Sequence, residues 1–230
     1  RLNPEAPVPI LKETEVKTQK GMAWNVRENL MSFGIEVYIL TQEERIIKRR
    51  FIDQRYNQQL LRVDIEDEVK PLEYDLPTED FDALVISDYD KGFLTTKRIY
   101  ELVEWFDGPV FIDSKKRVLP DREECFVKIN LREYQRLQVK LDNLIVTLGE
   151  QGAIYKGDRY PTDKVSVSDL VGAGDTFLAA LTYDYLYTKD ISHAIMFANK
   201  AAAIAVQHQG TYVLNEQDVE HLNQMNLVVQ

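Results

Sequence analysis

Beyond Asp82 the chain alternates short apolar runs with longer amphipathic stretches. Ala83-Leu84-Val85-Ile86, Pro109-Val110-Phe111-Ile112, Cys125-Phe126-Val127-Lys128 and Asn143-Leu144-Ile145-Val146-Thr147 each have strand length and continuous apolar character. Helical patterns fill the intervals: Thr95 to Trp105, a helix from Leu131, about Gly174 to Tyr187, and Ile191 to Gln207. Ala153-Ile154-Tyr155 reads as a return strand. This alternation predicts an α/β architecture, a parallel sheet covered by helices. Such sheets bind ligands beyond the carboxyl ends of their strands. Upstream, Gly21 to Phe33 reads as a helix and Ile35 to Leu40 as a strand. Arg45 to Asp64, rich in β-branched and basic residues, predicts a strand pair turning near Asp53–Asn57. Prolines 4, 7 and 9 rule out a helix at the start and favour an extended segment through Thr18.

Length and charge narrow the picture. The 230 residues fit one large domain, or one with a small appendage. A net charge of −10 argues against a nucleic-acid surface. It does not argue against a nucleotide, because backbone dipoles and a few cations can hold phosphates. The single cysteine, Cys125, excludes an internal disulfide and fits a cytoplasmic setting. No apolar run is long enough to span a bilayer, so no membrane association is expected. The chain opens on Arg1 in what reads as a loop, and material is expected to precede it.

The strongest chemical signal is Asp169-Leu170-Val171-Gly172-Ala173-Gly174-Asp175-Thr176, at the head of a long apolar helix. Gly172, Ala173 and Gly174 permit a tight turn that exposes backbone N–H groups. A helix starting there points its positive end at an anion. Asp175 then sits beside the hole as a base for a hydroxyl proton. A plain glycine turn with a dipole-favoured aspartate would give the same letters.

Other segments have two readings each. Thr147-Leu148-Gly149-Glu150-Gln151-Gly152 follows a strand; Thr147, Gly149 and Gly152 could line a phosphate, or simply make a hairpin turn. Asn130 and Glu133 could form a capping box, and Glu133 could also approach Mg²⁺ through water. In Ser87-Asp88-Tyr89-Asp90-Lys91-Gly92, Asp88 could border a sugar, or the loop could be mere polar surface. Asn25, near the start of the first helix, could bond sugar hydroxyls. Lys48, Arg49, Arg50, Arg55 and Arg62 could capture a phosphorylated substrate or blunt a sheet edge. The three histidines lack metal spacing and read as structural or exposed.

Taken in order, these pieces resemble the ribokinase-like (PfkB) carbohydrate kinases, and among them the kinase domain of bacterial heptose-7-phosphate kinases. The opening Arg1-Leu2-Asn3-Pro4-Glu5-Ala6-Pro7-Val8-Pro9 is similar to that group's Ser-Pro-Glu-Ala-Pro-Val-Pro. Asn57-Gln58-Gln59-Leu60-Leu61-Arg62 is similar to its Asn-Gln-Gln-Leu-Leu-Arg, and residues 87–92 to its Ser-Asp-Tyr-Gly-Lys-Gly. Ala198 to Val206 with Gly210-Thr211 resembles its last helix and following turn.

The resemblance implies a three-layer α/β/α sandwich with a mainly parallel central sheet and a small β-sheet lid. Residues 1–20 and 44–66 would form the lid; residues 21–43 and 67–230 would form the kinase core. It implies ATP, Mg²⁺ and a sugar-phosphate acceptor, with K⁺ as a further ion, and a homodimer through the lid. Asp175 would be the base, and Gly172, Ala173 and Gly174 the phosphoryl-holding amides. Asn130 and Glu133 would organise Mg²⁺ and phosphates. Thr147, Gly149 and Gly152 would line the nucleotide, and Asn199 with Ala202 would border adenine. Asn25, Arg50 and Asp88 would meet the sugar phosphate, and Asp169 would border a monovalent cation. There are departures. The family's first core strand is absent before Arg1. Met22 replaces a family glycine, and Val171 stands where threonine is usual. About thirty family residues are missing between Leu40 and Arg45.

Overall fold

The computed structural model describes residues 2–56, 58–73 and 76–227. Asn57, named above for the hairpin turn and the Asn-Gln-Gln-Leu-Leu-Arg segment, and Arg1 lie outside the described residues.

A six-stranded sheet has the order β3 (Leu84–Asp88), β4 (Val110–Ser114), β5 (Cys125–Asn130), β6 (Leu144–Thr147), β7 (Ala153–Tyr155) and β8 (Asp158–Tyr160). The first four strands are parallel, and the last two return antiparallel. Period-two alternation sends neighbouring side chains to opposite faces. Phe111, Phe126 and Ile145 pack on one face with α1 (Ala23–Ser32), α4 (Ala173–Thr188) and α5 (Ile191–Ala205). Val110, Ile112, Val127 and Ile129 pack on the other with α2 (Thr96–Trp105). Because both faces are covered, these strands are apolar almost throughout. The mixed sheet between two helical layers is the α/β/α arrangement expected.

β1 (Ile46–Asp53) and β2 (Gln58–Glu66) form a separate antiparallel hairpin with a bulge between Phe51 and Ile52. Residues 8–18, expected as part of the lid sheet, contribute no strand; the segment makes only an isolated bridge, Leu2 to Pro9. Three prolines and a run of exposed polar side chains leave it little to pair or bury. It meets the hairpin turn through Gln54, which accepts from Thr14 and donates to Glu15.

Ile35–Leu40 is not a strand either. Its alternation survives in burial, with Ile35 and Val37 against the core and Glu36 and Tyr38 exposed. A strand also needs a ladder partner, and no described residue supplies one. Two elements escaped the sequence reading. β8 is short and polar, joined to β7 through Lys156 and Gly157, both at positive φ as a tight hairpin turn requires. α6 (Glu216–Leu227) is weakly apolar, with Val219 and Leu222 meeting the core. Its Asn215–Asp218 reciprocal cap was nonetheless a readable start signal. α3 (Leu131–Tyr134) is a single turn.

Candidate active site

The parallel strands bring their carboxyl ends to one edge. β3 delivers Asp88 and Tyr89, β4 Asp113 and Ser114, β5 Lys128 and Asn130, and β6 Thr147. Beside them α4 begins at the glycine elbow. Gly172 is left-handed at φ 82°, and a Cβ there would lie 2.8 Å from Asn25 Nδ2. Gly174 is small for a different reason: a Cβ would lie 2.8 Å from Lys128 Nζ. The Thr176 N–H closes the first helical bond to Gly172 O, and the Ala173 N–H makes a long 3.4 Å contact to Leu170 O. The N–H groups of Gly174 and Asp175 have no backbone acceptor among the described residues. Those are the donors a helix N-terminus offers to an anion.

Asp175 is 2 % exposed. Its Oδ1 accepts from the Tyr89 hydroxyl at 2.6 Å and its Oδ2 from Asn25 Nδ2 at 3.1 Å. Burial holds its carboxyl above the usual carboxylate range, against the opposing pull of those two donors. Burial and the nearby Asp175 charge push the Tyr89 phenol up, so it remains a donor. Asn25 is fully buried, and its carbonyl oxygen accepts from Asn29. It therefore supports the Asp175 carboxylate from the helix α1 side. Behind the elbow Lys128 Nζ pairs with Asp113 at 2.5 Å and reaches Gly174 O at 3.3 Å. The sequence reading missed both. The signal was available: a lysine inside the strand Cys125-Phe126-Val127-Lys128 has no solvent to reach.

The residues expected to meet a nucleotide lie across the sheet. Asn130 and Glu133 form a complete capping box: Asn130 Oδ1 accepts from the Arg132 and Glu133 amides, and Glu133 Oε2 from the Asn130 amide. Thr147 Oγ1 donates to Ile129 O. Gly149, at φ 62°, faces open space, whereas a Cβ on Gly152 would strike Tyr160 O. Asn199 donates to Tyr160 O and Pro161 O, tying α5 to the end of β8, and Ala202 lies one turn on, half-buried. Asp169 Oδ1 and Oδ2 accept from the amides of Val171 and Gly210. No group of three or more His, Cys, Asp or Glu able to hold a metal occurs among the described residues.

On the other side, Asp88 is held by Ser114 Oγ, the Asp90 amide and Lys116. Lys48 and Arg50 share one face of β1, with Arg50 opposite Arg62 in register. Lys48 Nζ lies 5.4 Å from the Tyr89 ring centroid. The hairpin thus reaches the tyrosine that is bonded to Asp175. Met22 and Asp90, two positions where glycine was the family residue, both keep positive φ, at 57° and 54°.

Residues 130–218, which hold the glycine elbow and its buried carboxylate, match the pfkB family carbohydrate kinase. The chain is thus similar to that family over residues 130–218. It is 30 % identical over 277 residues to the bifunctional protein HldE of a Nitratiruptor species, covering 96 % of this chain and 60 % of that protein. It is also 30 % identical over 287 residues to HldE of Helicobacter acinonychis, covering 95 % and 61 %. The chain thus spans about three fifths of the length of these relatives. Both alignments run longer than the 230 residues here, so the relatives carry segments this chain lacks. Among solved structures, phosphofructokinase-2 of Escherichia coli in complex with potassium superposes with TM-score 0.66 at 15 % identity, covering 95 % of this chain and 93 % of that one. Ribokinase of Thermotoga maritima gives 0.58 at 20 %, covering 80 % and 71 %. The fold is that of the ribokinase family.

Proposed function

We propose that this chain transfers the γ-phosphoryl group of ATP to a hydroxyl of a sugar phosphate, with heptose 7-phosphate as acceptor and heptose 1,7-bisphosphate as product. The observation that carries the reading is Asp175, buried at the head of α4 beside two amides without backbone acceptors. In this mechanism Asp175 takes the acceptor proton and the Gly172–Gly174 turn receives the migrating phosphoryl group. Burial raises Asp175 toward the range where a base is useful near neutral pH. Positioning and charge stabilisation supply most of the rate.

A bound magnesium ion would supply charge to offset that of the phosphates. Glu133 keeps Oε1 outside its capping box, which suits an ion that retains several waters. Thr147, Gly149, Gly152, Asn199 and Ala202 would flank the nucleotide. A monovalent cation would sit against the loop that Asp169 shapes through its two amide bonds. Arg50, Asp88 and Asn25 would border the acceptor, Asn25 by holding the base. The hairpin, with residues 2–20 against it, would be the lid. Its exposed Ile47, Ile52, Leu60, Leu61 and Val63 support a second copy of the chain as its cover.

A second reading, nucleotide or sugar-phosphate binding without turnover, is favoured by one observation: β3 is an edge strand with no partner on its outer side among the described residues. ATP consumption measured with heptose 7-phosphate, with and without magnesium, separates the two. Magnesium-dependent ADP release supports the kinase. ATP binding without consumption across a panel of sugar phosphates supports the second reading.

A further inference from the structure

In the corner between the hairpin and the β3 and β4 ends, three cations are matched to acids. Arg62 pairs with Asp64 at 2.6 Å, Lys91 with Glu66 at 2.5 Å, and Lys116 with Asp90 at 2.5 Å. Lys48 and Lys115 form no ion pair among the described residues. They converge on the same ring: Lys115 Nζ lies 4.5 Å and Lys48 Nζ 5.4 Å from the centroid of Tyr89, whose hydroxyl is bound to Asp175. One comes from the hairpin and the other follows β4, so the two charges meet where the hairpin lies over the strand ends. Asp64 offsets part of the charge around Lys48, but Lys115, Arg62 and Lys91 act on it in the opposite sense, and a bound dianion would relieve that repulsion.

We propose that Lys48 and Lys115, with the Tyr89 ring as floor, form the clamp for the phosphate that the acceptor sugar already carries. This rests on the kinase reading and adds to it the residues that select a phosphorylated acceptor. The placement fits the division of the site. The candidate nucleotide residues belong to β5–β7 and α5, whereas the clamp lies on the β3–β4 side of Asp175. A sugar spanning the two would present one end to Asp175 and its phosphate to the lysines. Burial and the Lys115 charge already hold the Lys48 amine below its usual range, as expected of a cation awaiting an anion.

Calorimetric binding, which needs no turnover, tests this. Heptose 7-phosphate and fructose 6-phosphate are each titrated against the parent heptose and fructose, on the unaltered chain and on Lys48→Gln, Lys115→Gln and the double variant. The unaltered chain is expected to prefer the phosphorylated form of at least one pair by about tenfold or more. Each single variant should lose part of that preference and the double variant nearly all of it, with affinity for the unphosphorylated sugar unchanged. Preference intact in the double variant, or absent from the unaltered chain, overturns the clamp. Failure of the kinase reading would appear separately, as binding without ADP release.

Discussion

The Tyr89 hydroxyl donates to Asp175 Oδ1 across 86 residues of sequence at 2.6 Å, joining the loop after β3 to the head of α4. The bond favours the carboxylate form and opposes the effect of burial. Tyr89→Phe removes it while leaving the ring that meets Lys48 and Lys115. The Asp175 carboxyl then moves further above its usual range, and a base must be deprotonated to act. The acidic limb of the kcat/KM profile is therefore expected to shift toward alkaline pH, with Tm little altered. A limb that stays in place would show that the tyrosine does not tune this carboxyl.

Asp175 also carries a signature in stability. An unfolded aspartate ionises near pH ~3.9, whereas the folded one holds its proton to higher pH. Within that window the fold binds more protons than the unfolded chain, so this group's contribution falls as pH rises through the folded pKa. Asp175→Asn cannot ionise, and its amide can accept from Asn25 while donating to the Tyr89 oxygen. The variant is expected to melt above the parent at pH 8, with the gain shrinking toward pH 4. Thermal melts of both proteins across that range check the sign.

Met22 sits at φ 57°, ψ −137°, a region natural to glycine, immediately before α1. Relief of about 1–3 kcal/mol of strain should exceed the roughly 0.5–1 kcal/mol entropic cost of glycine. Met22→Gly is expected to raise Tm by a few degrees, at about 2–4 °C per kcal/mol for a chain of this size. Asp90→Gly should gain less, because it also removes the nearer of the two carboxylates that meet Lys116. Scanning calorimetry of the two variants provides the comparison.

Lys128 is buried behind the elbow against Asp113. Lys128→Met leaves that carboxylate without its cation and is expected to cost about 3–5 kcal/mol. Lys128→Met with Asp113→Leu should recover much of the loss, since no uncompensated charge remains. Denaturant unfolding of the two singles and the double gives the coupling. Additive losses would show that the pair is not an energetic unit.

Much of this arrangement was legible in the letters. Apolar strand runs separated by helical periods gave β3 to β6, α2, α4 and α5 within a residue or two, because covering the sheet on both faces makes its strands continuously apolar. The glycine elbow was readable because a left-handed turn such as that of Gly172 calls for glycine, whereas the second reason, Gly174 clearing Lys128, lies in the packing. Ile35–Leu40 misled because alternation reports a buried face and says nothing of a ladder partner. β8 and α6 were missed because one is short and polar and the other carries little apolar surface. Tyr89 was quoted only as part of a loop motif, and Lys115 and the Asp113–Lys128 pair went unnoticed. Their significance lies in contacts between strands that sequence spacing does not reveal.

The central claim is that one carboxylate, held beside open amides, deprotonates the acceptor. The direct test is ADP release from ATP and sugar phosphate by the unaltered chain and by Asp175→Asn, with ATP affinity measured on the same samples. The account predicts nucleotide affinity retained and turnover lowered by about 10²–10⁴. Turnover equal to that of the unaltered chain would contradict it.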